Sequence, residues 1–230
     1  MVSMLSFSEA GGHPANEDAF TVRRHPADAD CWLCFLADGQ GGRAGGARAA
    51  QLACHRAADA ALLQPRGKLA VPSAWAAILE CADAAVCSDP EAGFTTLLGF
   101  CLADGYLVGA SCGDSAVLAW TAGDRPKEVT AGQAKNPPVG SGAARFAPFG
   151  AVLVAPWSVL ACSDGVWKYA GWERLVELVT VARGQPLVEQ IQDAARLRGS
   201  GRFPDDFTLV LFQEESAPTA VPGRGTPNGQ

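Results

Sequence analysis

No apolar run in the sequence approaches the length of a membrane span, so no bilayer-crossing segment is expected. Residues Met1 to Ser6 lack the basic start and apolar core of a secretory signal, and none is expected there. Basic residues are in deficit: 18 Lys and Arg face 24 Asp and Glu, for a net charge of −6. That balance excludes non-specific binding to nucleic acid through a basic surface. There is no internal repeat. No second Cys-x-x-Cys follows Cys31-Trp32-Leu33-Cys34 at zinc spacing, so that motif reads as alternation within a strand. His25 and His55 have no convergent partners and read as surface or helix-face residues.

What is present is apolar. Hydrophobic residues make up 48% of the 230, which excludes a disordered chain and suffices for one sizeable domain with a core. The domain is expected over residues 1–213. Residues 214–230, rich in Pro, Gly, Ser and Thr, read as a disordered tail. Six of the eight cysteines stand in strand-like or helix-like runs: Cys34, Cys101, Cys112 and Cys162 in the former, Cys54 and Cys81 in the latter. Buried free thiols look like this, and a reducing cytoplasm is the expected compartment.

Strands are predicted at Ala19–Arg24, Cys31–Ala37, Thr95–Ala103, Tyr106–Cys112, Ser115–Thr121, Ala151–Val154, Ser158–Cys162 and Phe207–Phe212. Asp104-Gly105 is a strong two-residue hairpin signal, because glycine tolerates positive φ. Gly113-Asp114 reads as another tight turn, and Ala151–Val154 with Ser158–Cys162 as a further hairpin pair. Helices are predicted at Arg43–Leu63, at Ser73–Val86 with Ser73 as N-cap, and along two later stripes, Trp172 to Val179 and Leu187 to Ala195. Helix pairs beside consecutive hairpins point to an α+β fold of packed antiparallel sheets flanked by helices.

Four short acidic motifs border these strands: Asn16-Glu17-Asp18, Asp38-Gly39, Ser163-Asp164-Gly165 and Asp205-Asp206. Each taken alone is an ordinary loop or helix cap. Asp164 makes a poor cap, since the helix predicted after it begins several residues later. Brought together, such carboxylates need a positive partner, and hard divalent cations are the ions that take oxygen ligands.

In order and setting, the motifs resemble the metal-dependent serine/threonine protein phosphatases of type 2C. The matching stretches are Asn16-Glu17-Asp18-Ala19, Leu36-Ala37-Asp38-Gly39-Gln40-Gly41-Gly42, Gly93-Phe94-Thr95-Thr96, Gly113-Asp114-Ser115, Leu160 to Trp167, and Asp205 to Val210. The resemblance covers residues 8 to 213. The resemblance implies an α-β-β-α sandwich of two antiparallel sheets flanked by helix pairs, with two Mg²⁺ or Mn²⁺ ions at one end. By position, Asp38 would bridge both ions. Gly39 would offer its carbonyl to one of them, with Glu17 acting on that ion directly or through water, while Asp164 and Asp205 would ligate the other. Asp18 would support the ligands from behind. Catalysis would be hydrolysis by water activated between the ions, with Asp38, Asp164 and Asp205 acting through it. No cysteine sits in a phosphate-cradling loop, which argues against a cysteine-dependent phosphatase.

The chain departs from the family pattern at several places. His13 stands where the family usually has an arginine that grips phosphate; it is either a weaker, pH-dependent phosphate contact or a plain loop residue. Arg43 or Arg48 would be alternative sources of the charge. Gln40 replaces a histidine found in many animal members. Asp114 matches a position linked to a weaker third metal. Its usual partner is Lys168 here, which argues against filling that site and leaves the ammonium as charge balance or phosphate contact. The Gly/Pro-rich segment around Asn136–Gly142 is either a small flap beside an open groove or a connector.

The expected activity is removal of phosphate from phosphoserine and phosphothreonine in proteins, by a monomeric signalling enzyme opposing a serine/threonine kinase. The alternative is a catalytically weak phosphatase-like domain that binds a phosphoprotein or partner without efficient turnover. A phosphoesterase acting on nucleotides or small molecules is a third reading.

Overall fold

Most strands of this chain have a core on each face, so their side chains alternate between two apolar environments and the sequence reads as an unbroken apolar run. The computed structural model describes residues 1–12, 14–40 and 45–215. In chain order the elements are β1 (Val2–Glu9), β2 (Asp18–His25), β3 (Asp28–Asp38), α1 (Gly46–Leu62), α2 (Arg66–Leu69), α3 (Pro72–Cys87), β4 (Leu97–Ala103) and β5 (Tyr106–Cys112). They continue with β6 (Ala116–Thr121), β7 (Lys127–Glu128), β8 (Ala147–Val152), β9 (Trp157–Cys162), α4 (Asp164–Ala170), α5 (Trp172–Val181), α6 (Gly184–Ala195) and β10 (Phe207–Glu214).

Two antiparallel sheets form, one ordered β2-β3-β4-β5-β8 and the other β1-β10-β9-β6-β7. In β3, Leu33, Phe35 and Ala37 face α1 and α3, while Cys34 and Leu36 face the other sheet. In β10, Phe207, Leu209 and Leu211 face α4 to α6, while Val210 and Phe212 complete the layer between the sheets. The result is three apolar layers in an α-β-β-α sandwich, as expected. All eight cysteines are free thiols; Cys81 and Cys87 are exposed and the rest are buried. No helix among the described residues is long and apolar enough to cross a membrane.

The Asp104-Gly105 hairpin forms between β4 and β5, with both residues at positive φ (53° and 75°). The other two predicted hairpins do not. β5 and β6, around Gly113-Asp114, lie in different sheets, and so do β8 and β9. β8 runs beside β5, and β9 lies between β10 and β6. An unbroken apolar run says only that a strand is buried on both faces; it does not choose the sheet.

Four elements had no counterpart in the sequence reading: β1, which pairs along its whole length with β10, the short α2 and β7, and α4. Pro72 is the first residue of α3 and Val71 its cap, in place of Ser73. Glu214, assigned to the tail, ends β10 opposite Val2; residues 216–230 lie outside the described residues. His25 is buried, with Nε2 at 3.0 Å from the Gln64 carbonyl, and ties β2 to the end of α1.

Candidate metal centre and active-site cleft

Both sheets terminate in acidic residues at the same end of the sandwich. Asp38, the last residue of β3, stands directly opposite Asp18, the first of β2. Asp164 follows β9, Asp205 and Asp206 precede β10, and Asp114 lies where the chain crosses from one sheet to the other. Carboxylate oxygens of Asp38, Asp114 and Asp164 all lie within 4.8 Å of one another. They line a cleft of about 510 Å³ together with Glu17, Gly39, Asp205 and Lys135.

The backbone at Asp38 is held firmly. Its N–H donates to Thr96 Oγ1 and its carbonyl accepts from the Thr95 hydroxyl, both at 2.9 Å. Thr96 Oγ1 in turn lies 3.1 Å from Ser115 Oγ, beside β6, so a hydroxyl chain joins the ends of the two sheets. The Gly39 N–H donates to the Glu17 carbonyl at 3.1 Å. A Cβ on Gly39 would stand 2.6 Å from the Gly46 carbonyl oxygen, so only glycine lets the start of α1 come this near.

Asp206 organises the neighbouring loop. Its carboxylate accepts the N–H of Gly11 at 2.8 Å and of Glu17 at 2.6 Å, fixing where Glu17 enters the cleft. Asp164 opens α4 directly, contrary to the expectation of a helix several residues later. A carboxylate in a first turn is favoured by the helix's exposed N–H groups. The glycine after it is required by contact: a Cβ on Gly165 would lie 2.0 Å from the Asp206 carbonyl oxygen.

The cluster is electrostatically uncomfortable. Burial, and then the charges of Asp18, Asp164, Asp114 and Asp205, push the Asp38 carboxyl up to about 9. Burial likewise raises Asp18 to about 7; the hydroxyls of Ser163 and Thr208 lie near it but are bonded to the Thr208 carbonyl and to Ser8. Burial also raises Asp114, against the pull of Lys135 and Lys168. Both lysines reach the acidic residues. Lys135 forms an ion pair with Asp114; Lys168, one helical turn after Asp164, pairs with that residue and stands 3.9 Å from Asp114. Partial burial works against the Lys168 charge, but its bond to Asp164 and the surrounding carboxylates outweigh that and raise its pKa.

Divalent cations fit this donor set. Glu17 Oε2 and both carboxylate oxygens of Asp18 are buried without a hydrogen-bond partner. Each such orphan costs about 1–3 kcal/mol or more. An all-oxygen ligand set with excess negative charge suits Mg²⁺ or Mn²⁺.

The residues singled out in the sequence therefore converge: Glu17, Asp38, Gly39, Asp114, Asp164 and Asp205 line one cleft, and Asp18 is buried behind it. His13 and Arg43 lie outside the described residues. Arg48 is committed elsewhere, to Asp89 at 2.8 Å and Glu91 at 3.3 Å. The sequence reading missed Lys135, which no motif marks, and the loop-fixing role of Asp206, which its neighbour Asp205 obscured. The Asn136–Gly142 segment is a fixed wall of the cleft. Asp83, buried in α3, accepts the N–H groups of Gly140, Gly142 and Ala144 at 2.6, 3.2 and 3.1 Å and clamps that wall.

The architecture has solved counterparts. The catalytic domain of the serine/threonine protein phosphatase PstP, in complex with two manganese ions, aligns with TM-score 0.73 and 22% identity over 92% of this chain and 97% of that one. The Mycobacterium tuberculosis phosphatase PstP/Ppp aligns with TM-score 0.72 and 22% identity, over 93% and 99%. Staphylococcus aureus Stp1 gives TM-score 0.71 and 17% identity, over 94% and 96%. At these identities the likeness is one of fold. No curated protein matches the sequence. Family membership comes from the sequence itself, where residues 9–137, more than half of the chain, match protein phosphatase 2C. With that match spanning Glu17, Asp38 and Asp114, and the fold shared, the chain belongs to the protein phosphatase 2C family.

Proposed function

We propose that this protein removes phosphate from phosphoserine and phosphothreonine in proteins, using two Mg²⁺ or Mn²⁺ ions held by Glu17, Asp38, the Gly39 carbonyl, Asp164 and Asp205. The observation that carries this is the convergence of Asp38 and Asp164 with Asp114, oxygens within 4.8 Å, in a polar cleft at the end of the sandwich. Cations bound there would supply an acidified water and neutralise phosphate oxygens. The protein's own contribution is placement. Thr95 and Thr96 hold Asp38, Asp206 sets Glu17, and the first turn of α4 presents Asp164. Asp18 supports the ligands from its buried position.

Asp114 takes a different part in this reading. Two ammonium groups, Lys135 and Lys168, already stand on it, which supports two ions in place of three. Lys135 also brings a positive charge into the cleft beside an incoming phosphate. Free thiols throughout fit a reducing, cytoplasmic compartment. The reaction that supplies the substrate is phosphoryl transfer to a protein hydroxyl, the work of a serine/threonine kinase.

The test is hydrolysis of p-nitrophenyl phosphate and of a phosphothreonine peptide with Mn²⁺, with and without a chelator. Metal-stimulated turnover is expected on both. A folded protein that turns over neither would sink the proposal.

A further inference from the structure

A second groove, of about 480 Å³, opens beside the catalytic cleft. Asp114 and Lys135 belong to both and form the wall between them. The groove is thus within reach of residues that flank a phosphorylated side chain held in the cleft.

Two tryptophans line the groove. Trp167 and Trp172 meet edge to face, ring centroids 6.1 Å apart, and both are half-buried. Trp167 is fixed by its Nε1–H, which donates to the Asp114 carbonyl at 3.0 Å. That ring already has a cation near it: Lys168 Nζ lies 5.7 Å from its centroid. Glu128 of β7 lines the same groove and is half-buried. Its carboxylate takes only a long bond, 3.4 Å, from the Thr130 hydroxyl, and among the described residues it forms no ion pair. Two indole rings and a carboxylate without an ion pair in one groove, where Lys135 is already held by Asp114, suit a planar guanidinium, which stacks on indole and forks onto carboxylate. An aliphatic side chain would leave Glu128 unused, and an acidic one would be repelled by it.

We propose that this groove is a substrate subsite that takes an arginine side chain close to the phosphorylated residue. The inference rests on the reading of the protein as a phosphoprotein phosphatase and narrows its substrate class.

The experiment uses phosphothreonine peptides that differ only in one flanking residue, set to Arg, Leu or Glu at each position in turn. Turnover with Mn²⁺ and binding by fluorescence anisotropy are measured in parallel. At one position arginine should raise both kcat/KM and affinity about five- to tenfold over leucine, with glutamate lowest. Glu128→Gln should remove that preference. So should Ala131→Phe, which adds bulk to the groove from an exposed residue of its lining. Both variants should hydrolyse p-nitrophenyl phosphate at the parent rate. The proposal is overturned if arginine has no favoured position, if leucine binds as well, or if the preference survives both substitutions. Loss of turnover on every substrate would count against the hydrolase reading alone, because the binding ratios among the peptides still judge the groove.

Discussion

Burial and four neighbouring carboxylates keep Asp38 protonated near neutrality in the metal-free protein, with its carboxyl pushed to about 9. A neutral isostere removes that conflict without changing volume. Asp38→Asn should therefore melt higher than the parent in chelator at neutral to alkaline pH, and should lose metal-stimulated turnover by about a hundredfold or more. Differential scanning fluorimetry and a p-nitrophenyl phosphate assay would check both halves. An Asp38→Asn protein that binds Mn²⁺ and turns over like the parent would contradict the ligand assignment. The same residue-level logic explains the lysines. Lys135 and Lys168 offset the negative charge on the Asp114 side of the cluster, while Asp38 has no ion-pair partner among the described residues.

Elements position these residues through a few backbone clamps. Asp83 is the clearest: one buried carboxylate on α3 accepts three N–H groups from the wall that carries Lys135 and Asn136. Removing it leaves three donors without their acceptor. Asp83→Ala should cost about 3 kcal/mol, or roughly 6–12 °C in Tm. With the wall released, KM for a phosphothreonine peptide should rise more than KM for p-nitrophenyl phosphate. Equal effects on both substrates would mean that the clamp matters only for folding. The end of β3 against α1, and the start of α4 against the residues just before β10, rely on close approach instead, which is why glycine follows Asp38 and Asp164.

For the molecule as a whole, the acidic end of the sandwich links stability to pH and metal. Asp38 and Asp18 have folded pKa values of about 9 and about 7, above the unfolded value of 3.8. Their contribution is fully present below pH ~4 and is lost as pH rises through those values, because the unfolded chain releases the protons first. Metal-free protein should therefore become less stable from mildly acidic toward alkaline pH. Mn²⁺ should reverse the trend, because cations bind the deprotonated ligands, so the gap between Mn²⁺ and chelator melts should widen with pH. A gap that is constant or narrows with pH would show that the buried carboxylates are not the metal's ligands.

The α+β class, the order of most elements and the carboxylates of the cleft were legible in the sequence. Binary patterning marks doubly buried strands, and Asp-Gly steps beside them stand out against an apolar background. Pairing was not legible. Whether β8 joins β9 or β5, and whether Gly113-Asp114 turns back or crosses over, depends on long-range ladder partners that local alternation does not encode. α4 was hidden because seven residues after a strand are too few to show a helical period. Chemistry-bearing residue types are properties of the chain. The placing of Lys135 on Asp114, of Asp206 on the Glu17 loop, and of two tryptophans beside the cleft arises only when both sheets close on one another. Those contacts join residues far apart in sequence, and only packing specifies them.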